Sequence, residues 1–217
     1  GAQPQQFAAA AAILAEEGYD VVDINFGCPV RKVLGRCRGG YLLSDPPTAI
    51  EIIRAVRGAV PPQVPVTLKM RRGMDDTPDS ERNFFTILDA AFAHGLAAVT
   101  VHGRTVEQHY RGLSDWSFLA RVKRHVGERT ILGSGDLFTA QDIVRMLETT
   151  GVDGVTVARG CIGNPWIFRD ARALLSGRSL PDPPSVREQG EVLREHFRLE
   201  AAVHGENWAA RRMRMFG

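Results

Sequence analysis

The sequence predicts an α/β chain built on a parallel sheet, either a βα barrel or an open doubly wound sheet. Two observations predict it. Apolar, β-branched runs of strand length alternate along the chain with stretches of helical periodicity. Each of those runs also stops in glycine, polar or charged residues. The strands therefore present chemistry at their carboxyl ends, where both architectures place their sites.

A helix runs from near Pro4 to about Glu17, where Gly18 stops it. Its alanine run, Ala8–Ala12 followed by Ile13 and Leu14, lacks the basic leading region of a signal peptide and reads as a barrel-wall or surface helix. Val21–Phe26 is the first strand and breaks into Gly27-Cys28-Pro29. Ser44-Asp45-Pro46-Pro47 starts the next helix, with Ser44 or Asp45 as cap. That helix carries Ile50, Ile53, Val56 and Val60 at helical spacing, and Pro61-Pro62 ends it. Val64–Met70 is the second strand, running out into Arg71, Arg72 and Gly73. A polar loop with Asp75, Asp76 and Asp79 leads into a helix closed by His94-Gly95.

Ala97–Val101 is the third strand, ending in His102-Gly103-Arg104-Thr105. A loop with His109, Tyr110, Arg111 and Gly112 follows, then a helix from about Asp115 to Val126. Arg129–Leu132 is the fourth strand, ending in Gly133-Ser134-Gly135-Asp136, with a helix over about Thr139–Thr149 behind it. Asp153–Val157 is the fifth strand, ending in Ala158-Arg159-Gly160, and Gly163-Asn164-Pro165-Trp166 opens a further helix. Gly177, Pro181, Pro183 and Pro184 then read as a linker. Beyond it, Val186–His204 and a basic helix over Asn207–Phe216, with Arg211, Arg212 and Arg214, carry no strand signal. A domain boundary is expected near residue 180, with an α/β part over 1–180 and the start of an α-helical domain over 181–217.

The 217 residues are 44% hydrophobic and 24% charged, an ordinary globular balance with enough chain for a large core. A net charge of +2 does not by itself imply a nucleic-acid partner, so the clustering of cations matters more. Three cysteines, Cys28, Cys37 and Cys161, fit a reducing compartment rather than a disulfide scaffold. No clustered Cys/His pattern points to a metal, and no apolar run approaches the length of a membrane span.

The strand ends carry the chemistry. Cys28 sits where the first strand stops, followed at once by Arg31, Lys32, Arg36 and Arg38. A thiol held there under positive potential serves as an acid or a nucleophile. Cys37, in the same basic, glycine-rich loop, is a rival reactive thiol, and Cys161 reads as a small packing residue. Lys69, near the second strand's end, suits a Schiff base, a phosphate contact or a cofactor ring carrying negative charge. His102 and Arg104 flank Gly103 beside it. Ser134-Gly135-Asp136 and Ala158-Arg159-Gly160, on consecutive strand ends, let backbone N–H groups approach an anion, with Arg159 adding a charged contact. For either loop alone an ordinary βα turn that needs glycine for geometry explains the pattern equally well; the two together are more specific.

Taken together, Asp23-Ile24-Asn25-Phe26-Gly27-Cys28-Pro29-Val30-Arg31-Lys32-Val33, Thr67-Leu68-Lys69-Met70-Arg71, Val101-His102-Gly103-Arg104-Thr105, Gly133-Ser134-Gly135-Asp136 and Ala158-Arg159-Gly160 through Phe168 resemble the tRNA-dihydrouridine synthase family, in its bacterial, synthase B-like branch. The resemblance covers nearly the whole chain. It implies a TIM-type (β/α)8 barrel followed by a helical tRNA-binding domain. It also implies a cytoplasmic enzyme, monomeric at full length, that reduces uridine in tRNA to 5,6-dihydrouridine with FMN and NADPH. By that resemblance Cys28 is the proton donor and Asn25 and Arg104 meet the substrate. Lys69 and His102 contact the flavin ring, and Ser134, Gly135, Asp136, Ala158, Arg159 and Gly160 line the FMN phosphate site. Ser134 stands where the family usually has Asn, and Ala158 where Gly is common; backbone contacts tolerate both. The resemblance further implies that about five of eight βα units are present, so the chain is expected to be truncated at both ends and to hold FMN poorly alone. Two other classes remain open. One is another phosphate-binding barrel enzyme, such as a Lys69 Schiff-base aldolase or a dihydroorotate-type flavoenzyme. The other is a non-catalytic RNA-binding protein.

Overall fold

The computed structural model describes residues 3–214, which fall into two units. The first runs to Leu137 and resumes over Asp142–Ala158; the second takes Phe138–Gln141 and continues from Arg159.

In the first unit the alternating runs form five strands: β1 (Val22–Phe26), β2 (Val66–Arg71), β3 (Ala98–His102), β4 (Ile131–Ser134) and β5 (Gly154–Thr156). Every neighbouring pair is parallel and the order in the sheet is the order in the chain. That is the winding of a βα barrel; a doubly wound sheet reverses its order at a switch point. The sheet is open: among the described residues β1 pairs only with β2 and β5 only with β4.

Helix α1 (Pro4–Glu16) precedes β1, and a short α2 (Arg31–Leu34) and a 3-10 turn over Gly39–Ser44 lie in the loop after it. The crossovers are α3 (Pro46–Ala59), α4 (Pro78–Ala93), α5 (Trp116–Val126) and α6 (Ala140–Thr150). Local chemistry sets their starts. Asp45, rather than Ser44, caps α3 by accepting the Thr48 N–H at 3.3 Å, with Pro46 and Pro47 in the first turn. Thr77 caps α4 through the Ser80 N–H at 3.2 Å, and Asp115 caps α5 through the Phe118 N–H at 3.0 Å.

Period-two alternation splits the strands into two faces. Val22, Ile24 and Phe26 of β1, Val66, Leu68 and Met70 of β2, Val99 and Val101 of β3 and Ile131 of β4 are buried. So are the helical residues Ile52, Ile53 and Val56, Phe84, Ile87 and Leu88, and Phe118, Leu119 and Val122. Each such side chain contributes about 1.5–3 kcal/mol by leaving water. The opposite face is mostly polar, with Asp23, Asn25, Thr67, Lys69, Arg71, Thr100, His102 and Ser134 beside the apolar Ala98 and Leu132. Register places Asn25 beside Lys69, Lys69 beside Thr100, Arg71 beside His102, and His102 beside Ser134.

Two features depart from the expected elements. The loop after β1 is ordered into two helical turns. β4 lies two residues later than expected, because the ladder carries Gly133 opposite Val101 and Ser134 opposite His102. The second unit contains α7 (Ile167–Leu175), α8 (Val186–His204) and α9 (Glu206–Met213). Ser185 and Glu188 form a reciprocal capping box at the start of α8, and Gly205, at φ +85°, divides α8 from α9. The expected end of the last helix at Phe216 lies outside the described residues.

Candidate active site

Cys28 follows β1 directly, and the turn that carries it is built by two contacts. The Gly27 N–H donates to Asn25 Oδ1 at 2.9 Å, and the Gly40 N–H donates to the Cys28 carbonyl at 3.0 Å. The second contact brings Gly39-Gly40 back against the thiol-bearing residue. A Cβ on Gly39, whose φ is +59°, would lie 2.9 Å from Cys28 Cβ. A Cβ on Gly40 would lie 2.6 Å from Val106 Cγ2. Only glycine fits such an approach. Cys28 is half-buried, whereas Arg31, Lys32, Arg36, Cys37 and Arg38 are exposed. Cys37 adopts φ +54° and lies beside the Tyr41 side chain, whose pKa its proximity raises.

On the polar face, burial pushes the Lys69 ammonium below its usual pKa; Arg71 adds to the shift and Asp23 opposes it. His102 goes further. Burial first, then the charges of Arg71, Lys69 and Arg104, lower its pKa to about 3. Its Nδ1 accepts the Arg104 backbone N–H at 3.1 Å. A ring nitrogen that accepts carries no proton, so at neutral pH His102 is uncharged with its hydrogen on Nε2.

Arg104 is 3% exposed. Its Nη2 donates to the Asp136 carboxylate at 2.8 Å and to the Gly112 carbonyl at 2.5 Å, and its Nε reaches the Arg111 and Gly112 carbonyls at 3.3 and 3.2 Å. Its Nη1 is buried with no hydrogen-bond partner. Asp136 also accepts the Ser114 N–H at 2.7 Å. Gly135 and Asp136 both have positive φ, +114° and +58°. Trp116 Nε1–H donates to the Gly135 carbonyl at 3.1 Å, and the Gly103 N–H to the Ser134 carbonyl at 3.2 Å. The loops after β3 and β4 are thus laced together.

The structure brings Asn25, Lys69, His102 and Ser134 onto one face, with Cys28 just beyond the end of β1, and joins Arg104 to Asp136. Ala158 closes the first unit; Arg159 and Gly160 open the second, where the Arg159 guanidinium lies 5.3 Å from the Phe138 ring centre. Cys161 is half-buried in a groove of about 590 Å³, with Trp166, Leu193 and His196 among its walls. Among the described residues no group of three or more His, Cys, Asp or Glu can hold a metal, and no helix is long and apolar enough to cross a membrane.

One residue of the site escaped sequence reasoning. Arg71 is 4% exposed, and its Nε donates to the Gly27 carbonyl at 3.0 Å. Its Nη1 donates to the Thr105 and His109 carbonyls, both at 2.8 Å, and its guanidinium stands 5.7 Å from the Tyr110 ring centre. It therefore ties the Cys28 turn to the loop after β3. The available signal was its spacing of two from Lys69, which in a strand means the same face.

The model of the dihydrouridine synthase (Dus) family matches residues 1–216. The chain is 42% identical over 216 residues to a probable tRNA-dihydrouridine synthase of Mycobacterium tuberculosis, covering 97% of this chain and 54% of that protein. It is 40% identical over 210 residues to the probable tRNA-dihydrouridine synthase of Mycobacterium leprae, covering 94% and 53%. With tRNA-dihydrouridine synthase B of Xanthomonas campestris the identity is 37% over 206 residues, covering 95% and 60%. The chain spans about half the length of the mycobacterial relatives it matches. With a family match from end to end and the parallel, sequentially ordered sheet beneath it, the chain belongs to the dihydrouridine synthase family.

Proposed function

We propose that this protein reduces a uridine of tRNA to 5,6-dihydrouridine, with FMN as hydride donor, NADPH as the source of electrons and Cys28 as proton donor. The observation that carries this reading is the row of Asn25, Lys69 and His102 along one polar face, with Cys28 at its mouth, in a chain matched by the family over residues 1–216.

The donors suit a flavin mononucleotide. Lys69 is a desolvated cation and His102 a neutral Nε2–H donor, a pair suited to negative charge on a reduced flavin ring. Arg104, which the resemblance places at the substrate, keeps a buried Nη1 without a partner, a donor left for an incoming oxygen of the base or of the flavin beside it. The phosphate falls to the backbone of Ser134, Gly135 and Asp136; the sequence pattern supports the same role for Ala158, Arg159 and Gly160. When bound, FMN supplies the hydride that carbon 6 of uracil receives. Cys28 Sγ–H gives its proton to carbon 5, and solvent restores the thiol. Asn25 spends its Oδ1 on the Gly27 N–H, leaving its amide nitrogen for the base.

The target base must leave its stack to reach such a site. Arg31, Lys32, Arg36 and Arg38 are exposed in a stretch with no acidic residue between Asp23 and Asp45, which supports contact with RNA phosphates. We assign residues 1–180 to the flavin-binding part and 181–217, with Arg211, Arg212 and Arg214, to a helical tRNA-binding part, although the contacts within the chain divide it earlier, after Ala158. Cys28→Ala, in the protein as the cell makes it, should lower dihydrouridine formation by at least the 10²–10⁴-fold typical of a lost general acid while FMN stays bound. Mass spectrometry of tRNA measures the product; unchanged turnover removes Cys28 from the mechanism.

A further inference from the structure

Asp136 presents a difficulty. A carboxylate in a loop assigned to a phosphate repels the anion it is meant to hold. Its surroundings resolve this. Asp136 accepts from Arg104 Nη2 at 2.8 Å and from the Ser114 N–H at 2.7 Å, so both bonds run to the loop after β3. Arg104 is 3% exposed and has a full positive charge that needs a partner where water is excluded. The pair also has consequences on either side. On the β4 side it holds Asp136 in a left-handed conformation, φ +58°, which is uncommon for residues with a side chain though open to Asp more than to most. On the β3 side it holds the guanidinium against the Arg111 and Gly112 carbonyls, which leaves Nη1 buried and unpartnered. Packing seals the junction, since a Cβ on Gly135 would lie 2.4 Å from Ser114 Oγ.

We propose that the Asp136 side chain is a positioning residue rather than a cofactor ligand: by pairing with Arg104 it holds the unpartnered Arg104 Nη1 and the Gly135–Asp136 backbone in the geometry that receives the ligand. This rests on the reading above for the ligand's identity, but not for the pair itself. Three variants test it in the protein as the cell makes it. If Asp136 were only an adverse charge beside a phosphate, Asp136→Asn would tighten FMN binding. The positioning role requires the opposite. FMN affinity, read by quenching of flavin fluorescence, falls about 10–100-fold, the scale on which supports behind ligating groups act. Amide hydrogen exchange across residues 105–116 speeds up, and KM for tRNA rises more than kcat falls. Asp136→Glu, which keeps the charge, recovers part of each effect. Should Asp136→Asn fail to fold, the paired replacement Arg104→Met with Asp136→Leu removes both charges together. It should keep exchange slow and still lose affinity, because Nη1 is gone. FMN affinity equal to or tighter than wild type in Asp136→Asn, with unchanged exchange, overturns the proposal. Absence of flavin binding by the wild-type protein would instead overturn the flavin reading, and the exchange measurement, which needs no flavin, still decides the pair.

Discussion

His102 is a histidine that does not titrate where histidines usually do. With its pKa near 3 and Nδ1 accepting the Arg104 N–H, it is a fixed Nε2–H donor across the physiological range. Nitrogen-15 NMR should show one neutral tautomer from pH 8 to pH 5; a charged imidazolium appearing near pH 6.5 would end this account. Stability follows the same shift. The unfolded chain takes up a proton on this residue below about pH 6.5, while the folded chain does so only near pH 3. The neutral ring's contribution is therefore whole above pH 6.5 and shrinks as pH falls toward 3, by up to about 1.4 kcal/mol per pH unit. Urea unfolding should lose stability from pH 6.5 to pH 5 more steeply in wild type than in His102→Gln, and equal slopes would count against it. Cys28, Lys69 and His102 were legible as site candidates because each ends a strand-like run. Arg71 was not, since a cation after a strand reads as solvated surface until the carbonyls of Gly27, Thr105 and His109 are seen around its guanidinium. The tautomer of His102 was equally hidden, because it depends on a backbone N–H two residues away.

At the scale of elements, β4 shows how packing overrides composition. Gly133-Ser134-Gly135 reads as a loop, yet the first two residues continue the ladder. The reason lies in what covers the strand. A Cβ on Gly133 would lie 2.6 Å from Met146 Sδ of α6, 3.2 Å from Val152 Cγ2 and 3.5 Å from Leu119 Cδ1 of α5. Glycine lets two crossover helices close over β4, and Gly133→Ala should cost about 1–3 kcal/mol through overpacking. A chemical-denaturation midpoint measures this; an unchanged or raised midpoint would show that Met146 swings aside freely. Helix starts were legible, because Asp45-Pro46-Pro47 and the Ser185–Glu188 box are local chemistry. The helical turns after β1 were not. They depend on Cys28 meeting Gly40 across twelve residues, a closure that no short-range pattern announces.

Across the whole molecule, charge is arranged unevenly. Arg31, Lys32, Arg36 and Arg38 are exposed in one loop beside the candidate thiol, whereas Arg71 and Arg104 are buried and spent on backbone carbonyls and Asp136. Replacing Arg36 or Arg38 by Ala should weaken tRNA binding similarly for all sequences and lower the salt-dependence slope by about one each. Filter binding across a salt series reads this, and an unaltered slope would place the RNA elsewhere. The sequence by itself determined the α/β alternation, the polar strand ends and the family, since periodicity, turn residues and motifs are written locally and in order. Periodicity alone left a barrel-type and a doubly wound sheet open, and the resemblance implied the barrel; only the tertiary structure showed the in-order pairing, set the register that puts Lys69 beside Asn25 and His102 beside Ser134, and matched Asp136 with Arg104. Those outcomes join residues tens of positions apart, and which of them meet is settled by how crossover helices pack the strands in parallel, not by any short run of sequence.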